Sequence, residues 1–398
     1  MFKSTAFLFF TSLMICNSSF GQWKKIYTGF NNDLYDVQTI NKHAFACGQS
    51  SKVVYSADSG KSWKSLSLTI PANLRCLYFW DSLKGVVCGE NARIQKTSDG
   101  GKTWTQKYVR TAAFSYDITF KGPIGLAVGK DMLVIASSNE GESWSLDTTF
   151  PIRKQLNSVA ISNNGECWAV GDSGIIIHKK INQNKWSIIP SGTKINLNHV
   201  SCFNDSIILA CGGMPDTAQV GVHYNVFLIS RDTGKTWQSS IIPEMKTIFS
   251  ASFITPDTGW MVGSNGIICK VYHPLYSRGQ QLSGTANALN SVSYLSGYGL
   301  AVGDGGTILR TDNFGGFGLS TNSIKQSRIS IHPNPGSGYC HILSNDYIEK
   351  VEFISATGQL FTLEVVDQTI DISFLPAGIY QIRIQVNSEI FTSKFVKH

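Results

Sequence analysis

The sequence predicts an all-β chain in two parts, a ring of repeated four-stranded sheets and then a small sandwich. Three observations carry this. Among 398 residues, Gly (37), Phe (22), Tyr (14) and Trp (9) are plentiful and charged residues are only 15%, a mix suited to short strands and tight turns. Beyond the first twenty residues, no run places apolar side chains at the i, i+3, i+4, i+7 spacing of an amphipathic helix. One pattern recurs along most of the chain: a strand ending in a small-apolar-Gly step, then a Gly-centred turn followed by Trp.

The chain opens with MFKSTAFLFFTSLMICNSSFGQW. Lys3 gives a positive start, and Ala6 to Ile15 is an apolar core too short to span a bilayer. Ser19-Phe20-Gly21 sets small residues at −3 and −1 of a cleavage site. Residues 1–21 are therefore expected to be a signal peptide, with the mature chain starting near Gln22. A lipid anchor on Cys16 is the alternative, disfavoured by Ile15 where a small residue is needed. No other segment is long and apolar enough to cross a membrane.

The repeat comes next. FACGQ, VVCGE, LAVGK, WAVGD, LACGG, WMVGS and LAVGD end in Gly48, Gly89, Gly129, Gly171, Gly212, Gly263 and Gly303, at spacings of 41, 40, 42, 41, 51 and 40. Each copy parses into four short strands; in the second these are LRCLYF, GVVCGE, ARIQKT and TWTQKYV. One such sheet would expose two apolar faces, and seven set radially bury those faces against one another. The expectation is a seven-bladed β-propeller over 22–320.

Between third and fourth strands lies a box: SADSGKSW (56–63), TSDGGKTW (97–104), SSNEGESW (137–144) and SRDTGKTW (230–237). Its Asp (Asp58, Asp99, Asp232) suits capture of turn N–H groups. The Gly (Gly60, Gly101, Gly141, Gly234) permits positive φ. The Trp (Trp63, Trp104, Trp144, Trp237) suits burial between blades. A feature repeated in several blades, with Asn139 replacing Asp in one, reads as architecture rather than catalysis. The fourth copy keeps only KKINQNKW, ending at Trp186. The sixth (CKVYHPLYSRGQ) lacks the box, and the seventh (RTDNFGGFG) has no Trp. Trp23-Lys24-Lys25-Ile26-Tyr27 stands before the first blade as an orphan fourth strand. It would complete the seventh blade and close the ring, removing exposed edges. These motifs resemble the Asp-box (BNR) repeats of sialidases, sortilin-like receptors and Ycf48/HCF136-type photosystem II assembly factors. The Ycf48-like group is the nearest in its seven short blades and AVG-type step. The resemblance implies boxes on the rim, away from the functional face.

After Ser320 the pattern stops, and TNSIKQSR (321–328) reads as a linker. Alternation in VEFI and YQIRIQV predicts a small antiparallel, Ig-like β-sandwich over 329–398. Pro333-Asn334-Pro335, Thr357-Gly358-Gln359, Leu375-Pro376-Ala377-Gly378-Ile379-Tyr380 and a basic end from Lys394 to Lys397 occur in that order. The order closely resembles the C-terminal sorting domain of the type IX (Por) secretion system, type A; His398 after the last Lys is a small departure. The resemblance implies export through the periplasm to the outer-membrane surface or beyond, the secretion machinery being one partner. An ordinary Ig-like accessory domain is the alternative.

Eight Cys follow the leader, enough for 105 pairings. Cys47, Cys88 and Cys211 precede Gly in strands and read as small buried residues. Cys76 with Cys88, or Cys202 with Cys211, could bridge neighbouring strands. Cys and His spacings suit no metal, and GDGG (303–306) lacks the following helix a phosphate loop needs, so no cofactor is expected. The net charge of +7 reads as spread along the chain, with no nucleic-acid arm, and a monomer is expected.

Two classes of function suit such a propeller. A sialidase-like hydrolase is the alternative. It needs three converging Arg, a Tyr/Glu pair and an acid/base Asp, and a Phe-Arg-Ile-Pro motif before the first box. Pro151-Ile152-Arg153 only echoes that motif, and Arg231 sits inside a box. A non-catalytic module that binds a protein or glycan fits better. First-strand starts and second-to-third-strand loops gather on one face around the channel. Asp36, Arg75, Tyr116, Asp117, Asn157, Asn198, His199 and Asn290 are expected there; the alternative to a ligand role is an ion pair of neighbouring blades for Asp36 and Arg75, and a satisfied lining residue for His199. The fifth blade's insert GMPDTAQVGVHYN (213–225) falls on the same face, offering Met214, Val220, Val222, His223 and Tyr224 to a partner.

Overall fold

The computed structural model describes residues 23–66, 68, 72–109, 113–149, 154–213, 224–243, 246–256, 258–273, 277–295, 297–312, 329–332, 336–344, 348–355, 359–365, 369–386 and 389–398. The leader, the linker, Met214, His223, Pro333, Asn334, Pro335 and Gly358 lie outside them. The chain divides into two compact units, up to Leu319 and from Ser320.

The first unit is a ring of seven four-stranded antiparallel sheets. Blade 1 holds strands Leu34–Ile40, His43–Gly48, Val53–Ser56 and Lys64–Leu66 in spatial order. The first strands of blades 2 to 7 are Leu74–Phe79, Ser115–Lys121, Leu156–Ile161, Leu197–Cys202, Ile248–Phe253 and Leu289–Leu295. Each packs on the first strand of the next blade, and the first blade's packs on the seventh's, closing the ring. Seven apolar clusters fill the seven blade junctions. At the blade 7/1 junction, for example, Leu34, Val37 and Ala46 meet Leu300, Val302 and Ile308. Burial between blades is what lets both faces of each sheet be apolar.

Closure uses the N-terminal strand. Lys24–Lys25 pairs with Leu309 and Arg310 as the fourth strand of blade 7. Ile26 N–H continues the ladder to Ile308 O at 2.9 Å. Trp23 is buried, and its Nε1 donates to Gln281 Oε1 of blade 6 at 2.9 Å.

The Gly of the small-apolar-Gly step has extended backbone that any residue could adopt. It is Gly because of close approach. At Gly303 an added Cβ would overlap the Ala288 carbonyl oxygen, just before the blade's first strand, and the same holds at the six equivalent sites. The next N–H then bonds that carbonyl, as Asp304 N does Ala288 O (2.9 Å). In six blades a short 3₁₀ turn follows, among them Glu90–Ala92, Lys130–Met132, Asp172–Gly174 and Asp304–Gly306. These turns shorten the third strands relative to the sequence reading.

Cys76 and Cys88 form a disulfide across the first two strands of blade 2. Cys202 instead lies opposite Ile208, and Cys211 opposite His199, so the other suggested bridge does not form.

The second unit is a sandwich. Ile329–His332, Tyr339–Ser344 and Thr369–Asp371 make one sheet; Leu360–Leu363, Ile348–Ser355, Gly378–Val386 and Glu389–Lys397 make the other. Phe353, Ile382, Phe395, Cys340, Ile342 and Ile370 are core residues between them. Tyr380 is buried, and its hydroxyl donates to Pro376 O at 2.7 Å, pinning the turn before Gly378. Lys394 lies opposite Gln381, and the buried Lys397 Nζ donates to His398 O at 2.7 Å.

Candidate binding face at the channel mouth

Every first strand begins with a bulge. The register slips between Leu34 and Asp36, Leu74 and Cys76, Ser115 and Asp117, Leu156 and Ser158, Leu197 and His199, Ile248 and Ser250, and Leu289 and Ser291. Each slip leaves one residue without a cross-strand partner and re-aims its side chain. The seven are Tyr35, Arg75, Tyr116, Asn157, Asn198, Phe249 and Asn290, each half-buried beside a buried neighbour. They ring one mouth of the channel, next to the 3₁₀ turns.

The ring divides into two arcs, blades 4 to 7, with Phe249 in blade 6, and blades 1 to 3. In blades 4, 5 and 7 the bulge residue is Asn and stitches to the next blade. Asn157 Nδ2 donates to Leu197 O (3.0 Å) and Asp172 Oδ1 (3.2 Å). Asn198 Nδ2 donates to Ile248 O (2.7 Å), and Asn290 Nδ2 to Leu34 O and Asp304 Oδ1 (both 2.9 Å). Blades 1 to 3 carry Tyr35, Arg75 and Tyr116 instead. The Arg75 guanidinium lies 3.9 Å from the Tyr35 ring centroid, a stacked cation–π contact. Its Nε is buried with no hydrogen-bond partner. Burial raises the Tyr35 and Tyr116 phenols above their ordinary range, and the Arg75 charge partly offsets this. Carboxylates surround the arc: Asp33, Glu90 and Asp304 act on Tyr35, Asp131 and Asp172 on Tyr116.

One residue past each bulge lies a second ring that joins blades. Asp36 accepts from Leu77 N of blade 2 (3.0 Å), Val37 N (2.8 Å) and Ser291 Oγ of blade 7 (2.9 Å). Asp117 accepts from Val159 N (2.9 Å) and Ser158 Oγ (2.7 Å) of blade 4 and from Ile118 N (2.8 Å). Ser158, Ser250 and Ser291 take the same kind of N–H from Val200, Val292 and Val37. Burial, then the nearby Asp117 charge, pushes Asp36 up to about 7; burial pushes Asp117 to about 6. In blade 5 the position is His199, held down at about 4 by burial, with Nε2 unpartnered.

The sequence-predicted residues thus separate. Arg75, Tyr116, Asn157, Asn198 and Asn290 are bulge residues at the mouth; Asp36, Asp117 and His199 sit one step deeper. Asp36 and Arg75 form no ion pair, because Asp36 is turned to the blade joints and Arg75 to Tyr35. Sequence reasoning missed Tyr35 and Phe249. An aromatic after Leu or Ile reads as strand core, yet both lie 13 or 14 residues before the step Gly, as Arg75 does. Tyr224 opens the third strand of blade 5, Tyr224–Ser230. Arg231 lies in a box, and Arg310 Nε donates to Ser59 O of another box, so neither joins Arg75.

The boxes lie at the opposite end of the blades and work as turns. Asp99 Oδ1 accepts from Thr103 N (2.9 Å) and Oδ2 from Thr103 Oγ1 (2.6 Å); Asp232 does the same with Thr236. These bonds, the threonine hydroxyl first, hold both carboxyls at about 2. Asp58 binds Lys61 N (3.0 Å) and Ser62 N (2.9 Å) likewise, and Asn139 binds Ser143 N (2.9 Å). Trp63, Trp104 and Trp144 each donate Nε1 to Gly60, Gly101 and Gly141 O at 3.1 Å. Gly234 has φ +74°, and a Cβ there would overlap the Trp168 ring of blade 4. The preceding Thr233 is also left-handed, at φ 58°, so the turn uses two such residues. Among the described residues no three His, Cys, Asp or Glu gather as metal ligands, and no helix is long and apolar enough to cross a membrane.

Comparison with known proteins agrees with this architecture. Residues 62–151 match the family model described as photosynthesis system II assembly factor YCF48, and residues 330–398 match that of the secretion system C-terminal sorting domain. No curated protein matches the sequence. Among solved structures, YCF48 bound to D1 peptide is similar at 16% identity and TM-score 0.58, covering 74% of this chain and 97% of that one. YCF48 from Cyanidioschyzon merolae is similar at 13% and 0.55, covering 73% and 98%. The WD40 propeller domain of Doa1 is similar at 11% and 0.59, covering 74% and 98%. At these identities the likeness speaks for the fold. The sorting-domain match supports export to the cell surface or extracellular space.

Proposed function

We propose that this chain is an exported binding protein whose propeller holds a protein or glycan partner at the channel mouth without acting chemically on it. One observation carries the reading: three bulge residues are tied to the next blade by their own amides, while Tyr35, Arg75 and Tyr116 are not. A half-buried guanidinium stacked on a ring, with Nε lacking an acceptor, is costly to leave unmatched. A partner acceptor would match it, and flanking aromatics supply contact area. The similar structure of YCF48 bound to D1 peptide is a precedent for a propeller of this shape holding a ligand. Asp36 and Asp117, the two carboxylates with raised pKa, each accept three hydrogen bonds, two of them from a neighbouring blade, which argues for a structural duty rather than acid–base work. The 330–398 match supports delivery by the type IX machinery.

The test incubates the purified chain with a glycan panel and with cell-envelope extract, scoring retention and product release together. Retention without turnover, lost in Arg75→Ala or Tyr116→Ala, is expected. Release of sugar, abolished by Arg75→Ala, would replace this reading with a glycan hydrolase.

A further inference from the structure

The net charge is not spread evenly, contrary to the sequence reading. Residues 24–109 hold 12 Lys and Arg against six Asp and Glu, an excess of six in a chain whose total is +7. That segment is the closing strand of blade 7 with blades 1 and 2. Much of its excess lies at the box end of the blades, opposite the channel mouth described above.

Blade 1 contributes Lys42 in the first turn, Lys61 in the box and Lys64 just after it; blade 2 contributes Lys84 and Lys102 at matching places; blade 7 contributes Lys24. All six are exposed. Within each blade the two turns touch: Ser59 N donates to Lys42 O (2.7 Å) and Gly100 N to Leu83 O (2.8 Å). Between blades, Arg310 beside Lys24 reaches Ser59 O at 2.6 Å, and Leu66 packs under Gly101. The lysines therefore form one band across three neighbouring blades. Among the described residues no carboxylate forms an ion pair with any of the six. Asp58, Asp81 and Asp99 share the face, each bonded to its own turn, and the Asp81 charge also interacts with that of Lys84. The band ends at blade 3, where Glu142 takes the box position of Lys61 and Lys102 and binds Lys96 (2.6 Å) and Lys107 (2.7 Å).

We infer that this box-end band of blades 7, 1 and 2 is a docking surface for an anionic polysaccharide. Ammonium groups on flexible stems suit point charges spaced along a chain, where bidentate recognition would call for Arg. Repetition from blade to blade suits a repeating ligand. The sorting-domain match favours an extracellular polyanion over a nucleic acid.

The full chain is passed over heparin–agarose and polygalacturonate–agarose, with DNA-cellulose in parallel, and eluted with salt. Retention on at least one polysaccharide, falling steeply with salt, is expected. Lys61→Glu/Lys102→Glu should abolish it at 150 mM salt, a loss of at least about tenfold in affinity. Glu142 already occupies that position in blade 3, so the turn accommodates the change; Lys61→Gln/Lys102→Gln should give an intermediate loss. The charge-matched Lys194→Glu/Lys235→Glu should be retained like the parent chain. Equal loss in both double variants would reduce the effect to net charge and overturn the proposal, as would retention on DNA-cellulose alone or on none of the three.

Discussion

The two arcs of the channel mouth are built on the same backbone and do different things. Blades 4, 5 and 7 place Asn at the bulge, and its amide spans to a carbonyl of the following blade. Blades 1 and 3 place Tyr, and blade 2 Arg, whose planar groups meet each other or solvent instead. The bulge fixes where the side chain goes; the residue there decides whether it closes the ring or faces a partner. A repeat can thus be uniform in strands and turns while its functional asymmetry rests on one position per blade.

Four outcomes sharpen that contrast, from the largest effect on stability to the smallest. Gly303→Ala forces a Cβ onto the Ala288 carbonyl and displaces the strand entry that positions Asn290, the bulge residue of blade 7. Overpacking of this kind costs about 3 kcal/mol, read as a lower denaturation midpoint in urea. Asn290→Ala breaks two hydrogen bonds and leaves Leu34 O unmatched; a loss of about 2 kcal/mol is expected. A loss as small as that of Arg75→Ala would erase the distinction between arcs.

The third outcome is in pH. Asp36 and Asp117 have folded-state values of about 7 and 6, above the ordinary 3.8, so the charged forms are disfavoured by folding. Their contribution is fully present below about pH 4 and is lost as pH rises through 7. His199 works in the opposite sense: held at about 4 against 6.5, its contribution is present above 6.5 and lost as pH falls through 4. Melting temperature measured from pH 5 to 8 should therefore decline more gently in Asp117→Asn. In His199→Gln the carboxylates act unopposed, and the decline should steepen. The fourth and smallest effect on folding is Arg75→Ala, expected within about 0.5 kcal/mol of the parent, with loss of partner retention. A large destabilisation would make Arg75 a structural residue.

Much of the fold was legible because its devices repeat. The step Gly and the box recur at nearly fixed spacing, and each has a local cause: close approach to one carbonyl, two left-handed residues, a carboxylate over a turn. Trp23 to Tyr27 was legible as the closing strand because the seventh copy lacks its own Trp. The mouth was legible in part. Arg75, Tyr116 and the three Asn stand out as polar or aromatic residues at strand starts. Tyr35 and Phe249 do not, since a one-residue bulge shifts the phase of the alternation and leaves no mark in composition.

The sequence by itself determined the number of blades, the turn chemistry, the closing strand and the second domain, because these follow from local spacing and steric demands. The tertiary structure alone decided which polar groups serve the ring and which are left for a ligand. That division depends on hydrogen bonds between residues about 40 positions apart or, for Asn290 and Leu34, 256 apart. It also decided that the charge excess forms one band, since only the circular arrangement sets Lys24 of blade 7 beside the lysines of blades 1 and 2.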